Sequence, residues 1–118
     1  YTSFEYSDLQ LAEIDKKNKS VTLSFNITNT GDYGGAEVAQ IYVRDIVSKE
    51  VRPLKELKGF RKVFLRPGET KSVSVALDKD AFQYFSEKKS DWVFESGEFE
   101  IWVGASSKDI RLKTKVKM

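Results

Sequence analysis

Apolar and polar residues alternate one by one through much of this chain. Val21, Leu23, Phe25 and Ile27 are separated by Thr22, Ser24 and Asn26. Val73, Val75 and Leu77 alternate with Ser72, Ser74 and Ala76, and Phe99, Ile101 and Val103 with Glu98, Glu100 and Trp102. A period of two belongs to a half-buried strand, with one face in a core and the other in water. Residues 36–43 are nearly all apolar, broken only by Glu37 and Gln40, as a central strand covered on both faces would be. Two further strand-like runs, 57–65 and 70–77, flank Pro67-Gly68. Pro presets one turn angle and Gly tolerates the positive one, so a chain reversal is predicted there. Leu9, Leu11 and Ile14 open the series, and Ile110, Leu112, Thr114 and Val116 close it, interleaved with Arg111, Lys113, Lys115 and Lys117. No window sustains a 3.6-residue apolar period, and only residues 79–85 have room for a helical turn.

Turn-forming clusters separate these runs at short intervals: residues 16–19, 29–32, 34–35, 67–68, 88–91, 96–97 and 106–108. Many short strands with regular turns predict an all-β protein, a fibronectin type III or immunoglobulin-like β-sandwich of about seven strands. At 118 residues, one domain over residues 1–118 is the natural count. A domain of this size buries roughly 60–70% of its unfolded surface and needs no covalent staple. Phe25, Phe99 and one of Phe60 or Phe64 are expected in the core.

Composition narrows the chemistry. The chain has no cysteine and no histidine. Disulfides, thiolate metal sites, Ser-His nucleophiles and the commonest general base are excluded together. Twenty basic and eighteen acidic residues give a net charge of +2, with the signs interspersed as on an ordinary solvated surface. The row of Arg111, Lys113, Lys115 and Lys117 suits the outer face of an edge strand, where lysines discourage edge-to-edge pairing. No nucleic-acid recognition motif accompanies the basic residues. No apolar run approaches the ~18 residues of a membrane span, and no signal peptide is visible. The sequence starts at Tyr1 without an initiator Met and is expected to be a piece of a longer polypeptide.

No constellation of side chains suggests catalysis. Glu98 and Glu100 share one face of a strand at about 6.5–7 Å, but carboxylates on one side of one strand cannot flank a glycosidic bond. Asp78 and Asp80 fall far short of the 6–8 oxygens that calcium takes. No glycine-rich loop opens a helix, and no cofactor is expected. The aromatic residues are more informative. If Phe99, Ile101 and Val103 face inward, Trp102 faces out. Full burial of an aromatic side chain removes roughly 150–250 Å² from water, an upper bound on the order of 4–6 kcal/mol. Something is expected to cover Trp102: a loop of the same domain, a neighbouring domain, or a stacked sugar ring. Trp92, beside Val93 and Phe94, poses the same question but is expected nearer the core. The polar stretch 43–58, with Arg44, Asp45, Arg52 and Pro53, is a long connection of the kind that is often docked or functional. Its charges, Arg44 with Asp45 and Arg52 with Glu50 or Glu56, can pair locally or fix an interdomain register. If Trp102 and this stretch face a missing partner, an apolar patch is expected over the two.

Four segments carry a family resemblance: YTSFEYSDLQL at 1–11, ITNTGDYGGAEVAQIYVRD at 27–45, RPLKELKGFRKVFLRPGE at 52–69 and WVFESGEFEIWVGASSKDIRL at 92–112. Together they resemble the C-terminal fibronectin type III-like domain of glycoside hydrolase family 3, the β-glucosidase and β-xylosidase family. Ser96 stands where that family often has proline. The family's catalytic nucleophile and acid/base lie in other domains, and no residue here matches them. The resemblance implies a non-catalytic accessory domain that packs on and stabilises the catalytic domains of the same polypeptide. It also implies a parent that hydrolyses terminal β-linked glucose or a similar sugar with retention, in the periplasm or secreted. The competing reading is an independent carbohydrate-binding or cell-surface interaction sandwich, with carbohydrate contacts on Trp92, Trp102 and Tyr84.

Overall fold

Each alternating segment becomes a strand. The computed structural model describes residues 3–45, 56–94 and 97–118. Among them run β1 (Phe4–Asp15), β2 (Ser20–Asn29), β3 (Gly35–Asp45), β4 (Glu56–Leu65), β5 (Thr70–Leu77), β6 (Gln83–Ser86), β7 (Asp91–Phe94), β8 (Glu98–Ser106) and β9 (Asp109–Lys117). The helical turn is a 3-10 turn, Lys79–Phe82. Seven of the strands make two antiparallel sheets, ordered β1-β2-β5 and β4-β3-β8-β9. β6 and β7 form a separate two-stranded hairpin, which the count of seven did not include.

The inner faces follow the sequence periods. Val21, Leu23, Phe25 and Ile27 of β2 meet Val73, Val75 and Leu77 of β5 and Ala39, Ile41 and Val43 of β3 in one core cluster, with Phe99, Ile101 and Val103 of β8. Aromatic pairs fix its ends. Tyr6 stacks on Phe25 with ring centroids 6.1 Å apart, and Phe82 of the 3-10 turn meets Phe99 edge-on at 5.1 Å. β3 is central, as its apolar run requires, between β4 and β8.

The Pro67-Gly68 reversal joins the two sheets rather than closing a hairpin. β4 pairs with β3, and β5 pairs with β2. Gly68 adopts a φ of +78°, which glycine takes without strain. Its N–H donates to the Asn29 carbonyl at 2.8 Å. The side chain of Asn29, fully buried, donates to the carbonyls of Tyr33 at 2.8 Å and Leu65 at 3.0 Å. Its Oδ1 accepts from the Gly31 N–H at 2.9 Å. One buried amide thereby joins the end of β2, the following loop and the end of β4, with its polar atoms satisfied.

The opposite seam is closed by Arg111. Its guanidinium pairs with Asp109 through Nε–Oδ1 at 2.6 Å and Nη2–Oδ2 at 3.0 Å, and Nη1 donates to the Phe4 carbonyl at 2.9 Å. The group also lies 5.4 Å from the Tyr6 ring centroid. β9 and β1, on different sheets, are thus joined by a planar fork that a lysine could not reproduce.

One core expectation fails. Neither Phe60 nor Phe64 is buried; Leu65 is. The β3–β4 register places Leu65 opposite Gly35, Val63 opposite Glu37 and Gly59 opposite Ile41, so the odd-numbered positions point inward and both phenylalanines point out. A register shift at Ile41/Tyr42 inserts Lys58 and turns Leu57 outward as well. Trp92, expected near the core, is also exposed, because it belongs to the small hairpin and not to the sandwich.

Candidate functional site

The two outer faces of the sandwich differ in chemistry. On the three-stranded sheet, paired residues form the rows Glu5–Thr28–Thr70, Ser7–Asn26–Ser72, Gln10–Ser24–Ser74 and Glu13–Thr22–Ala76. Polar side chains cover it, tied together by a Thr28–Thr70 hydroxyl contact at 2.7 Å and an Asn26 amide donating to Asp8 at 3.0 Å. This is a solvated face.

The outer face of the four-stranded sheet is aromatic. One row crosses all four strands: Leu57, Tyr42, Trp102 and Lys113. Tyr42 is buried yet stands outside the core cluster, between its registered neighbours Leu57 and Trp102. Its hydroxyl donates to Gln40 Oε1. Trp102 is half-buried, and the Lys113 ammonium sits 4.5 Å from its ring centroid, a cation–π geometry. Part of the cover sought for Trp102 is therefore the alkyl-ammonium arm of the lysine row on β9. Along β4 the large apolar side chains Leu57, Phe60 and Phe64 are exposed, at 51%, 62% and 56%, and exposed Lys62 stands between the two phenylalanines on the same face. The Phe64 ring lies against the β2–β3 loop, so that a Cβ added to Gly34 would meet it at 3.1 Å.

At one end of this face Arg44 and Glu100, paired across β3 and β8, form a salt bridge of 2.9 Å. The described partner of Arg44 is thus the cross-strand Glu100. Glu100 is occupied structurally, and Glu98 is exposed at the start of β8, opposite Lys117. Arg52 and Pro53 lie outside the described residues, as does the Asp45 side chain.

The second aromatic feature is the β6–β7 hairpin. Phe85 and Trp92 are paired across it and meet edge-to-face at 5.8 Å. The Lys58 ammonium is 5.9 Å from the Trp92 ring. Lys58, Asp80, Gln83 and Trp92 line an open depression of about 300 Å³. Asp78 is committed locally: its Oδ1 accepts the Asp80 N–H at 3.0 Å and caps the 3-10 turn. Trp92 and Trp102 belong to different sheets, and the Tyr84 side chain lies outside the described residues. Among the described residues no group of three or more His, Cys, Asp or Glu is placed to hold a metal ion.

Sequence reasoning expected one of Phe60 or Phe64 inside, whereas both are surface residues. The signal was present: Val63 and Leu65 share one parity immediately before the Pro67-Gly68 turn, and Phe60 and Phe64 share the other.

Comparison with known proteins adds the wider setting. Residues 37–107 match the family described as the fibronectin type III-like domain. The chain is 49% identical to thermostable β-glucosidase B of Acetivibrio thermocellus, over 100% of this chain and 16% of that protein. It is 46% identical to an exo-α-(1→6)-L-arabinopyranosidase of Bifidobacterium breve, over 93% of this chain and 14% of that protein. The crystal structure of the family 3 β-glucosidase of Bifidobacterium adolescentis superposes with a TM-score of 0.92 at 39% identity, covering 100% of this chain and 17% of that one. The chain spans about one sixth of the length of these relatives.

Proposed function

We propose, for a chain that belongs to the fibronectin type III-like domain family, the role of an accessory domain in a family 3 glycoside hydrolase of the β-glucosidase type. The observation that carries this reading is the match of the entire chain to one sixth of a β-glucosidase. In the proposal the remaining polypeptide holds the nucleophile and acid/base, cleaves terminal β-linked glucose or a similar sugar with retention, and works in the periplasm or outside the cell. The domain packs on the catalytic region and holds its geometry. It does not choose the sugar, since closely similar domains occur in proteins named for glucose and for arabinopyranose. The full-length polypeptide is expected to hydrolyse an aryl β-glucoside, and deletion of residues 1–118 to lower its thermal stability. A full-length protein inactive on a panel of aryl glycosides would overturn the reading.

A second reading, compatible with the first, is a carbohydrate contact at the Trp92 depression. An exposed indole offers a flat apolar face to a pyranose ring, and Asp80, Gln83 and Lys58 beside it supply acceptors and donors for hydroxyls. Titration of the full-length protein with gluco-oligosaccharides, followed by tryptophan fluorescence, tests it. Saturable quenching that disappears in Trp92→Ala supports the contact; quenching that survives this substitution removes it.

A further inference from the structure

Resting on the accessory-domain reading, we infer that the domain docks onto the rest of its own polypeptide through the outer face of the β4-β3-β8-β9 sheet, centred on Phe60 and Phe64. Three observations carry this. First, only one of the two sandwich faces has the chemistry for it. The rows of the three-stranded sheet are Ser, Thr, Asn, Gln and Glu with one Ala, whereas the four-stranded sheet exposes Leu57, Phe60 and Phe64, with Lys62 between the phenylalanines, beside buried Tyr42 and half-buried Trp102. Large apolar side chains exposed together on one face of a small domain mark an interaction site, and aromatic residues are enriched in interfaces while lysine and serine are depleted. Second, the size fits. Four strands at about 4.8 Å spacing and eight or nine residues at about 3.3 Å give a flat area of roughly 500 Å². That is one side of an interdomain interface, which buries roughly 600–1,500 Å² in total. Third, the relatives carry about five times this chain's length in the same polypeptide, so a tethered partner surface is at hand.

The mode of contact is face-on. Strand addition at the free edge of β4 would need its outward carbonyls. Those of Phe60 and Phe64 already accept from Arg61 Nη1 at 2.8 Å and from Lys71 Nζ at 2.7 Å. The side chains therefore make the contact while the backbone edge is blocked. The β9 side of the same sheet, with Lys113, Lys115 and Lys117, forms the polar rim.

The test uses the full-length polypeptide carrying either Phe60→Lys with Phe64→Lys, or Ser24→Lys with Ser74→Lys on the opposite face. Limited proteolysis between this domain and the catalytic region is followed together with thermal inactivation. The phenylalanine variant is expected to release the domain, with cleavage at least about tenfold faster, the change in docked population that each 1.4 kcal/mol of lost contact produces. The serine variant is expected to match the parent. Circular dichroism of the proteolytically released domain checks that the phenylalanine variant keeps its sandwich, as side chains more than half exposed predict. Release by the serine pair instead, or no release by either, overturns this docking face while the accessory role stands on the aryl-glycoside assay. A change from dimer to monomer in the phenylalanine variant, with unchanged proteolysis, assigns the face to a second copy and also overturns it.

Discussion

The Asn29 side-chain amide donates to the main-chain carbonyl of Leu65 at 3.0 Å, in a position without solvent access. The bond links two sheets that share no strand pairing at that end. Removing the amide leaves the buried Leu65 carbonyl, and the part-buried Tyr33 carbonyl and Gly31 N–H, without it. An unsatisfied buried group costs about 1–3 kcal/mol. Asn29→Ala is therefore expected to lower stability by about 1–3 kcal/mol in urea unfolding. A loss under half a kcal/mol would show that water replaces the amide.

Gly104 is the most constrained glycine of the described residues. A Cβ there would lie 2.3 Å from the Asp109 carbonyl oxygen and 2.9 Å from the Ile110 Cα, where the β8–β9 register shifts. Both obstacles are backbone and cannot rotate away. Gly104→Ala is expected to cost about 2 kcal/mol or more and to move amide resonances along β9. Gly68→Ala meets no atom within 4 Å and is expected to cost about 1 kcal/mol, from its positive φ alone. Thermal melts of the pair separate steric from conformational cost.

Tyr6 and Asp109 give the protein opposite pH limbs. Burial, and then the negative charge of Glu37, push the Tyr6 phenol well above its ordinary 10.0. Above pH 10 the unfolded chain gives up a proton that the folded chain keeps, so stability falls as pH climbs towards the folded value. Tyr6→Phe keeps the ring on Phe25 and loses the hydrogen bond to Glu37 at 3.1 Å. It is expected to be less stable at pH 7 by about 1 kcal/mol and flatter than the parent above pH 10. The Arg111 hydrogen bond holds the Asp109 carboxyl below its usual value. Its contribution is complete above the ordinary carboxylate range and is lost as pH falls through the folded value. Asp109→Asn is expected to flatten the acid limb. Denaturant midpoints across pH measure both.

The two tryptophans report different surroundings. Trp92→Phe leaves half-buried Trp102 under Lys113 as the sole indole; its emission is expected to be bluer and less quenched by acrylamide than that of the Trp102→Phe variant. Equal quenching in the two variants would contradict the described packing.

Period-two alternation located β2, β5 and β8 closely because each buries one face against one core. β5 runs Thr70–Leu77, the run read from the sequence. The sheet partners were not legible: Pro67-Gly68 announces a reversal but not whether the next strand pairs with the last one. One of Phe60 or Phe64 was expected inside because β4 carries Val63 and Leu65 on one face and the two phenylalanines on the other, and with apolar residues on both faces periodicity alone does not say which is inside. Trp92 was misread for a related reason, since Val93 and Phe94 beside it are only half-buried. The Arg44–Glu100 pair was not legible either, because only the β3–β8 register brings the two together.

The switch of sheets at Pro67-Gly68 has a consequence for the nascent chain. β2 must wait for β5, roughly fifty residues later, before its second edge is paired. At synthesis rates of about 5–20 residues per second, that is roughly 2–10 s. During that interval Val21, Leu23, Phe25 and Ile27 form an apolar strip paired with β1 alone, and an isolated two-stranded hairpin is marginal in water. The ribosome-bound intermediate, not the finished sandwich, is the form of this domain most in need of chaperones.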